Sequence, residues 1–191
     1  MKGILVILSG PSASGKDTVI QEWQKKDPRV RKITTCTTRS PRPGEKDGVD
    51  YIFLSPEAFQ KQVEQNLFLE HKNVHGYLYG TPLADVEKAL KEGFIVVLKI
   101  DVQGGMEVKQ KRPDALTIFL KPPSLQELER RMRTRGLNNE EEITRRLSDA
   151  ERELACAPLY DYIVINDDAT RAAQEISDIV KHHLNQKEKS S

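Results

Sequence analysis

Ile4-Leu5-Val6-Ile7-Leu8, followed directly by Ser9-Gly10-Pro11-Ser12-Ala13-Ser14-Gly15-Lys16-Asp17-Thr18, is the stretch that decides the fold. A short apolar run that ends in a Gly/Ser turn reads as a strand buried on both faces, and the segment after Lys16 reads as the start of a helix. Glycines at positions 10 and 15 let the backbone turn tightly with its N–H groups pointing inward. Lys16 adds a positive charge, and the helix N-terminus adds its dipole. Strand, loop, lysine and helix together predict a phosphate-binding loop with a triphosphate as guest. Gly10, Pro11, Ser12, Ala13, Ser14, Gly15, Lys16, Asp17 and Thr18 are its candidate contacts. The competing account is a plain Gly/Ser-rich turn with a surface lysine. One position departs from the motif: Asp17 stands where a Ser or Thr usually holds Mg²⁺. A carboxylate can also bind that ion or its water shell.

A chain of 191 residues with 37% hydrophobic content can bury one sizeable core, so a single domain with inserted segments is expected. Thirty basic residues against 29 acidic ones exclude bulk electrostatic binding to nucleic acid or to a membrane surface. The apolar runs are strand-sized, too short to cross a bilayer, and Met1-Lys2-Gly3 carries no cleavable-signal pattern. A cytoplasmic protein is the expectation. Cys36 and Cys156 lack the spacing of a zinc or redox motif and read as free thiols.

Ile4–Leu8, Phe94–Ile100, Ala115–Leu120 and Tyr162–Ile165 read as buried strands that alternate with helical patterns. The fold class expected is therefore α/β, a parallel sheet flanked by helices. Pro56 opens one helix, and Pro82 opens another that stops at Gly93. Ser124 with Glu127 forms a capping box ahead of Leu125, Leu128 and Met132. The amphipathic pattern from Ala169 fades at Gln186, and a frayed tail is expected beyond it. Two segments interrupt the alternation. Residues 34–81 suggest a small mixed α/β insertion, and 126–148 a charged helical hairpin acting as a lid, leaving 1–33, 82–125 and 149–191 as the core.

Thr37-Thr38-Arg39-Ser40-Pro41-Arg42-Pro43-Gly44-Glu45 holds two arginines in a proline-stiffened segment, and fixed guanidinium forks suit a phosphate gripped bidentately. A solvated basic turn is the bland alternative. Tyr51 and Tyr79 offer hydroxyls that can complete such a cradle, or are rim residues. Glu70 closes the apolar stretch Leu67-Phe68-Leu69 and could accept two N–H groups from one edge of guanine; otherwise it is a surface acid. His71, His75, His182 and His183 show no ligand spacing. Arg131 and Arg135 share a helical face, and Arg146 can converge on them across the turn at Gly136. Such clustering suits an anion between them, as a transferring phosphoryl group would be, although a face balanced by Glu127, Glu129 and Glu140–Glu142 is the alternative.

With these pieces in order, the chain resembles the guanylate kinases, P-loop nucleoside monophosphate kinases, from Ile4 to about Asp168. The matching stretches include Gly10–Lys16, Thr37–Glu45, Gly48, Asp50-Tyr51, Glu70, Tyr79-Gly80-Thr81, Ile100–Gly104, Pro122–Ser124, Arg131–Gly136, Arg145–Leu147 and Val164–Asp168. The resemblance implies transfer of a phosphoryl group from ATP, with Mg²⁺, to GMP and dGMP in purine metabolism. It puts ATP phosphates on the loop and Asn166 near the adenine. It gives Arg39, Arg42, Tyr51 and Tyr79 the GMP phosphate, and Glu70, Thr81 and Thr35 the guanine, with Asp101 also in the GMP site. Lys16, Arg39, Arg131, Arg135 and Arg146 become the catalytic set, and Asp17 and Asp101 the candidate Mg²⁺ ligands. Three positions depart from the pattern: Asp17, Thr35 in place of a common serine, and Lys99 at the first position of an acid-x-Asp pattern ending at Asp101. Lys99 is expected to pair with Asp101 or the acceptor phosphate, or to put its charge in solvent. The alternatives are a kinase of ribose 1,5-bisphosphate on the same scaffold, and a guanylate-kinase-like binding module that has lost catalysis.

Overall fold

A computed structural model describes residues 3–74, 76–134 and 139–189. Its centre is a five-stranded, all-parallel sheet of β1 (Ile4–Ser9), β2 (Val30–Lys32), β7 (Ile95–Lys99), β8 (Leu116–Lys121) and β9 (Tyr162–Ile165), in the order β2-β7-β1-β8-β9. Ile4, Val6 and Leu8 point to one face, against Trp23 of α1 (Lys16–Lys26) and Ile176 of α7 (Ala169–Lys189). Leu5 and Ile7 point to the other, against Val86 of α3 (Leu83–Lys91) and Val108 of α4 (Val102–Lys111). Two buried faces are why β1 reads as an unbroken apolar run and not as an alternation.

The insertion forms a second, mixed sheet in the order β4-β3-β6-β5, from β3 (Cys36–Thr37), β4 (Ile52–Phe53), β5 (Phe68–Val74) and β6 (Tyr77–Pro82), with α2 (Pro56–Glu64) packed on it through Phe59 and Phe68. The charged segment forms α5 (Leu125–Thr134) and α6 (Glu140–Ala155). No helix among the described residues is long and apolar enough to cross a membrane.

Several local expectations change. β2 was not expected, because Val30-Arg31-Lys32 is too short and charged to stand out; at a sheet edge, pairing with β7 is enough to hold it. Of the capping box, one half forms: Ser124 Oγ accepts from the Glu127 N–H at 3.1 Å, while the Glu127 carboxylate turns to Arg130 and Arg131 instead. α7 continues through Lys189, past the expected fraying point at Gln186. α6 runs on without a break to Ala155, so the helix crosses residue 148, the expected lid boundary.

Candidate active site

The loop after β1 leaves the sheet at the carboxyl ends of the strands, where open α/β sheets place their ligands. Gly10 has φ of 148°, and a Cβ there would collide with the Leu120 carbonyl; Gly15 has φ of 93°, and a Cβ would strike Asn166 Nδ2. Both backbones need glycine. Ala13 between them sits at φ of 65°, a left-handed conformation that a non-glycine residue adopts only when its surroundings enforce it. Lys16 Nζ folds over the loop and donates to the Gly10 carbonyl at 2.5 Å and the Pro11 carbonyl at 2.9 Å.

A cleft of about 400 Å³ runs from this loop to the inserted sheet. Lys16 and Asp17 line one end; Thr35, Arg42, Tyr51, Glu70, Tyr79 and Asp101 line the other, and Arg146 reaches in from α6. The Tyr51 and Tyr79 rings meet edge to face at 6.0 Å. Arg39 lies behind this wall, only 9% exposed, its guanidinium donating to Glu45 at 2.8 and 3.0 Å and to the Ser40 carbonyl at 2.7 Å. Glu45 also accepts the Arg42 backbone N–H at 2.7 Å, so one carboxylate shapes both arginines. Glu70 stands opposite Thr81 in the β5–β6 ladder and accepts from its hydroxyl at 2.6 Å, with both residues 1% exposed.

A second crevice of about 280 Å³ lies on the other side of the loop, lined by Gly15, Thr18, Arg131 and Asn166. Asn166 Nδ2 donates to the Ser14 carbonyl at 2.7 Å, and Arg131 Nη2 donates to the Asn166 carbonyl at 3.0 Å. Arg146 Nη1 reaches Ser12 Oγ at 3.4 Å. Two of the three clustered arginines therefore touch the loop from α5 and α6; Arg135, like Gly136 and His75, lies outside the described residues.

The charge near the loop is arranged differently from the expectation. Lys99 pairs neither with Asp101 nor with solvent: its ammonium donates to both oxygens of Asp17, at 2.8 and 3.0 Å, with its side chain 20% exposed. Burial works to raise the Asp17 pKa, but Lys99, Lys32 and Lys16 outweigh it and hold the carboxyl below its ordinary value. Asp101 caps α4, accepting the Gly104 N–H at 3.1 Å, and forms an ion pair with Lys72. Both carboxylates named as Mg²⁺ ligands, Asp17 and Asp101, are thus engaged by lysines in this structure. Among the described residues no three His, Cys, Asp or Glu side chains gather as a cation cage. Such a donor set fits an Mg²⁺ ion that keeps most of its water and arrives with a nucleotide better than an ion held by the protein alone.

Lys72, Val74, Asp149 and Glu153 line the cleft without having been singled out in the sequence. Lys72 follows Glu70 by two positions on β5 and so shares its face, a signal that period-2 geometry could have supplied. Glu153 follows Arg146 by two helical turns on α6 and lines the same cleft.

The guanylate kinase family model matches residues 2–183. The chain belongs to the guanylate kinase family. The guanylate kinase of Caldanaerobacter subterraneus subsp. tengcongensis is 44% identical over 179 residues, covering 94% of this chain and 87% of the relative. That of Hydrogenovibrio crunogenus is 45% identical over 179 residues, with the same coverage of 94% and 87%. The crystal structure of guanylate kinase from Anaplasma phagocytophilum matches with a TM-score of 0.79 at 31% identity, covering 95% of this chain and 86% of that one. The guanylate kinase fold agrees with the parallel sheet and flanking helices described above, and membership makes this chain an enzyme, a nucleoside monophosphate kinase.

Proposed function

We propose that this chain transfers the γ-phosphoryl group of ATP to GMP, and to dGMP, in purine nucleotide metabolism in the cytoplasm. A phosphate oxygen of GMP forms a bond to the γ-phosphorus as the bond to the β–γ bridging oxygen breaks, giving GDP and ADP. The observation that carries this reading is Glu70. It is buried at the floor of the cleft, one oxygen is bonded to Thr81, and the other, Oε2, has no partner among the described residues. An acceptor-only group of this kind matches the adjacent N1–H and 2-amino group of guanine and opposes the N1 lone pair of adenine.

In this reading Arg42, Tyr51 and Tyr79 hold the acceptor phosphate, with Arg39 stiffening their wall, and Thr35, Thr81 and Asp101 complete the GMP site. The loop from Gly10 to Thr18 takes the ATP phosphates, and Asn166 lies toward the adenine. Lys16, Arg131, Arg135 and Arg146 stabilise the transferring group, which needs positioning and positive charge more than covalent help. Mg²⁺ bound with ATP supplies charge neutralisation beside Asp17. The division into a core, a GMP-binding insertion at 34–81 and a lid at 126–148 belongs to the same proposal. The chain's Lys16 and lid arginines speak against a binding module, and its buried Glu70 against a sugar phosphate acceptor, which presents no base.

ADP release from ATP, with GMP, dGMP, AMP, UMP or ribose 1,5-bisphosphate offered in turn, tests the reading. Turnover is expected with GMP and dGMP. Preference for ribose 1,5-bisphosphate, or no turnover with any acceptor, overturns it.

A further inference from the structure

Beside Glu70 lies a cation that the proposed reaction does not use. Lys72 shares the cleft-facing side of β5 with Glu70 and stands opposite Tyr79 in the ladder, so it projects into the cleft between the base-reading and phosphate-gripping residues. Its side chain is 14% exposed, and its ammonium is ion-paired with the Asp101 carboxylate at the start of α4. Among the described residues that ammonium makes no hydrogen bond of ordinary geometry, and neither does Glu70 Oε2. The two atoms hang over the same spot: a Cβ placed on Gly104 would lie 2.9 Å from Lys72 Nζ and 3.0 Å from Glu70 Oε2. Gly104 therefore keeps open the space that both charged groups occupy.

Two carboxylates, Glu70 and Asp101, thus approach one point at the cleft floor. Left alone, such a pair repels, and one member protonates or swings away. A protonated Glu70 would turn an acceptor into a donor and misread its ligand. We infer that Lys72 is a positioning residue for acceptor-base recognition: its ammonium, ion-paired with Asp101, acts on Glu70 through its charge and keeps Glu70 Oε2 an unprotonated acceptor aimed into the cleft. The inference rests on the proposed reading of Glu70 as the guanine contact. Burial drives the Glu70 pKa up, and Thr81 and Lys72 pull it back; burial lowers Lys72 to about 8 while Glu70 holds it up. The remaining charges that face this pair are Glu107 and Lys111 on α4 and Glu153 on α6, none of which contacts Oε2. Lys111 is turned away, donating to the Leu69 carbonyl at 2.9 Å.

Steady-state kinetics and equilibrium titration with GMP and IMP test this, using wild type, Lys72→Met, Lys72→Arg, Glu70→Gln and the double variant Glu70→Gln/Lys72→Met. IMP lacks the 2-amino group and so withdraws one of the two N–H donors that Glu70 accepts. Lys72→Met is expected to raise the GMP KM about tenfold or more, with a much smaller change in kcat, and to narrow the preference for GMP over IMP. Lys72→Arg should retain most of the preference. In the Glu70→Gln background the lysine change should cost little more, because the group it acts through is gone. Unaltered GMP KM and preference in Lys72→Met, or lysine and glutamate effects that simply multiply, overturn the inference. If Lys72→Met does not fold, Lys72→Gln, which removes the charge but keeps a polar head, carries the same comparison alone and combined with Glu70→Gln. Wild type that does not bind GMP at all defeats the underlying reading instead.

Discussion

Lys16 begins α1 with its ammonium over the loop carbonyls of Gly10 and Pro11, so little of its side chain contributes to the core. Lys16→Ala should fold normally and lose on the order of 10²–10³ in kcat, the effect of removing one preorganised positive group from a developing charge. Rapid-quench kinetics beside a thermal melt checks both halves. Glu70→Gln replaces a charged acceptor by an amide with one carbonyl, a loss of roughly 1.5–3 kcal/mol, or about tenfold to a hundredfold in GMP affinity by calorimetric titration. Burial sets Lys72 at about 8, below the ordinary lysine value, with Glu70, Glu107 and Glu153 raising it and Asp101 paired to it. Below about pH 8 native and unfolded chains both hold this proton; between there and about pH 10.4 only the unfolded chain does. Stability contributed through this group therefore rises with pH across that window, by up to roughly 3 kcal/mol. Urea unfolding of wild type and Lys72→Met should accordingly diverge in favour of wild type as pH climbs from about 8; parallel curves would contradict a buried ammonium.

Elements bring the unusual charges together. Asp17 opens α1 and Lys99 closes β7, and the parallel pairing of β7 with β1 sets the two ends side by side. Their ion pair places a carboxylate at the helix N-terminus, where the dipole favours it, and neutralises that carboxylate beside a phosphate loop that would otherwise repel anions. Asp17→Ser strands the lysine, and Lys99→Asp sets two acids against each other. The double variant should recover part of what each single one loses, with a coupling of about 0.5–1 kcal/mol in a urea-unfolding cycle and a matching non-additivity in the Mg²⁺ dependence of activity. Strictly additive effects would show that the two positions do not share a field. Much at this scale was legible beforehand: the strands from unbroken β-branched runs, and the start of α2 at Pro56 from the ring's fixed φ, whereas Pro82 ends β6 and caps α3 one residue before its start at Leu83. β2 was not, because three residues carry no period and its pairing belongs to β7. The length of α7 was missed because its polar last turns carry no apolar signal, although the backbone continues in register.

Across the molecule, Arg42 and the two tyrosines belong to the insertion, while Arg131 and Arg146 reach the loop from the charged hairpin. All these groups must converge on one transferring anion, and closing them around it would also exclude water that could hydrolyse ATP. Small-angle scattering with a bisubstrate analogue should show a smaller radius of gyration than the free chain; an unchanged profile would mean that the arms meet without closure. What the sequence by itself determined is whatever depends on near neighbours along the chain. The phosphate loop follows from glycine spacing, the central sheet from two-faced apolar runs, and the arginine segment from its prolines. Which lysine neutralises which acid was decided by the tertiary structure alone. Lys99 meets Asp17 across 82 positions, and Asp101 meets Lys72 where the α4 cap lies against the inserted hairpin. Those partners are chosen by sheet register and by helix packing, and in the linear chain Asp101, two residues from Lys99, was the nearer and mistaken choice.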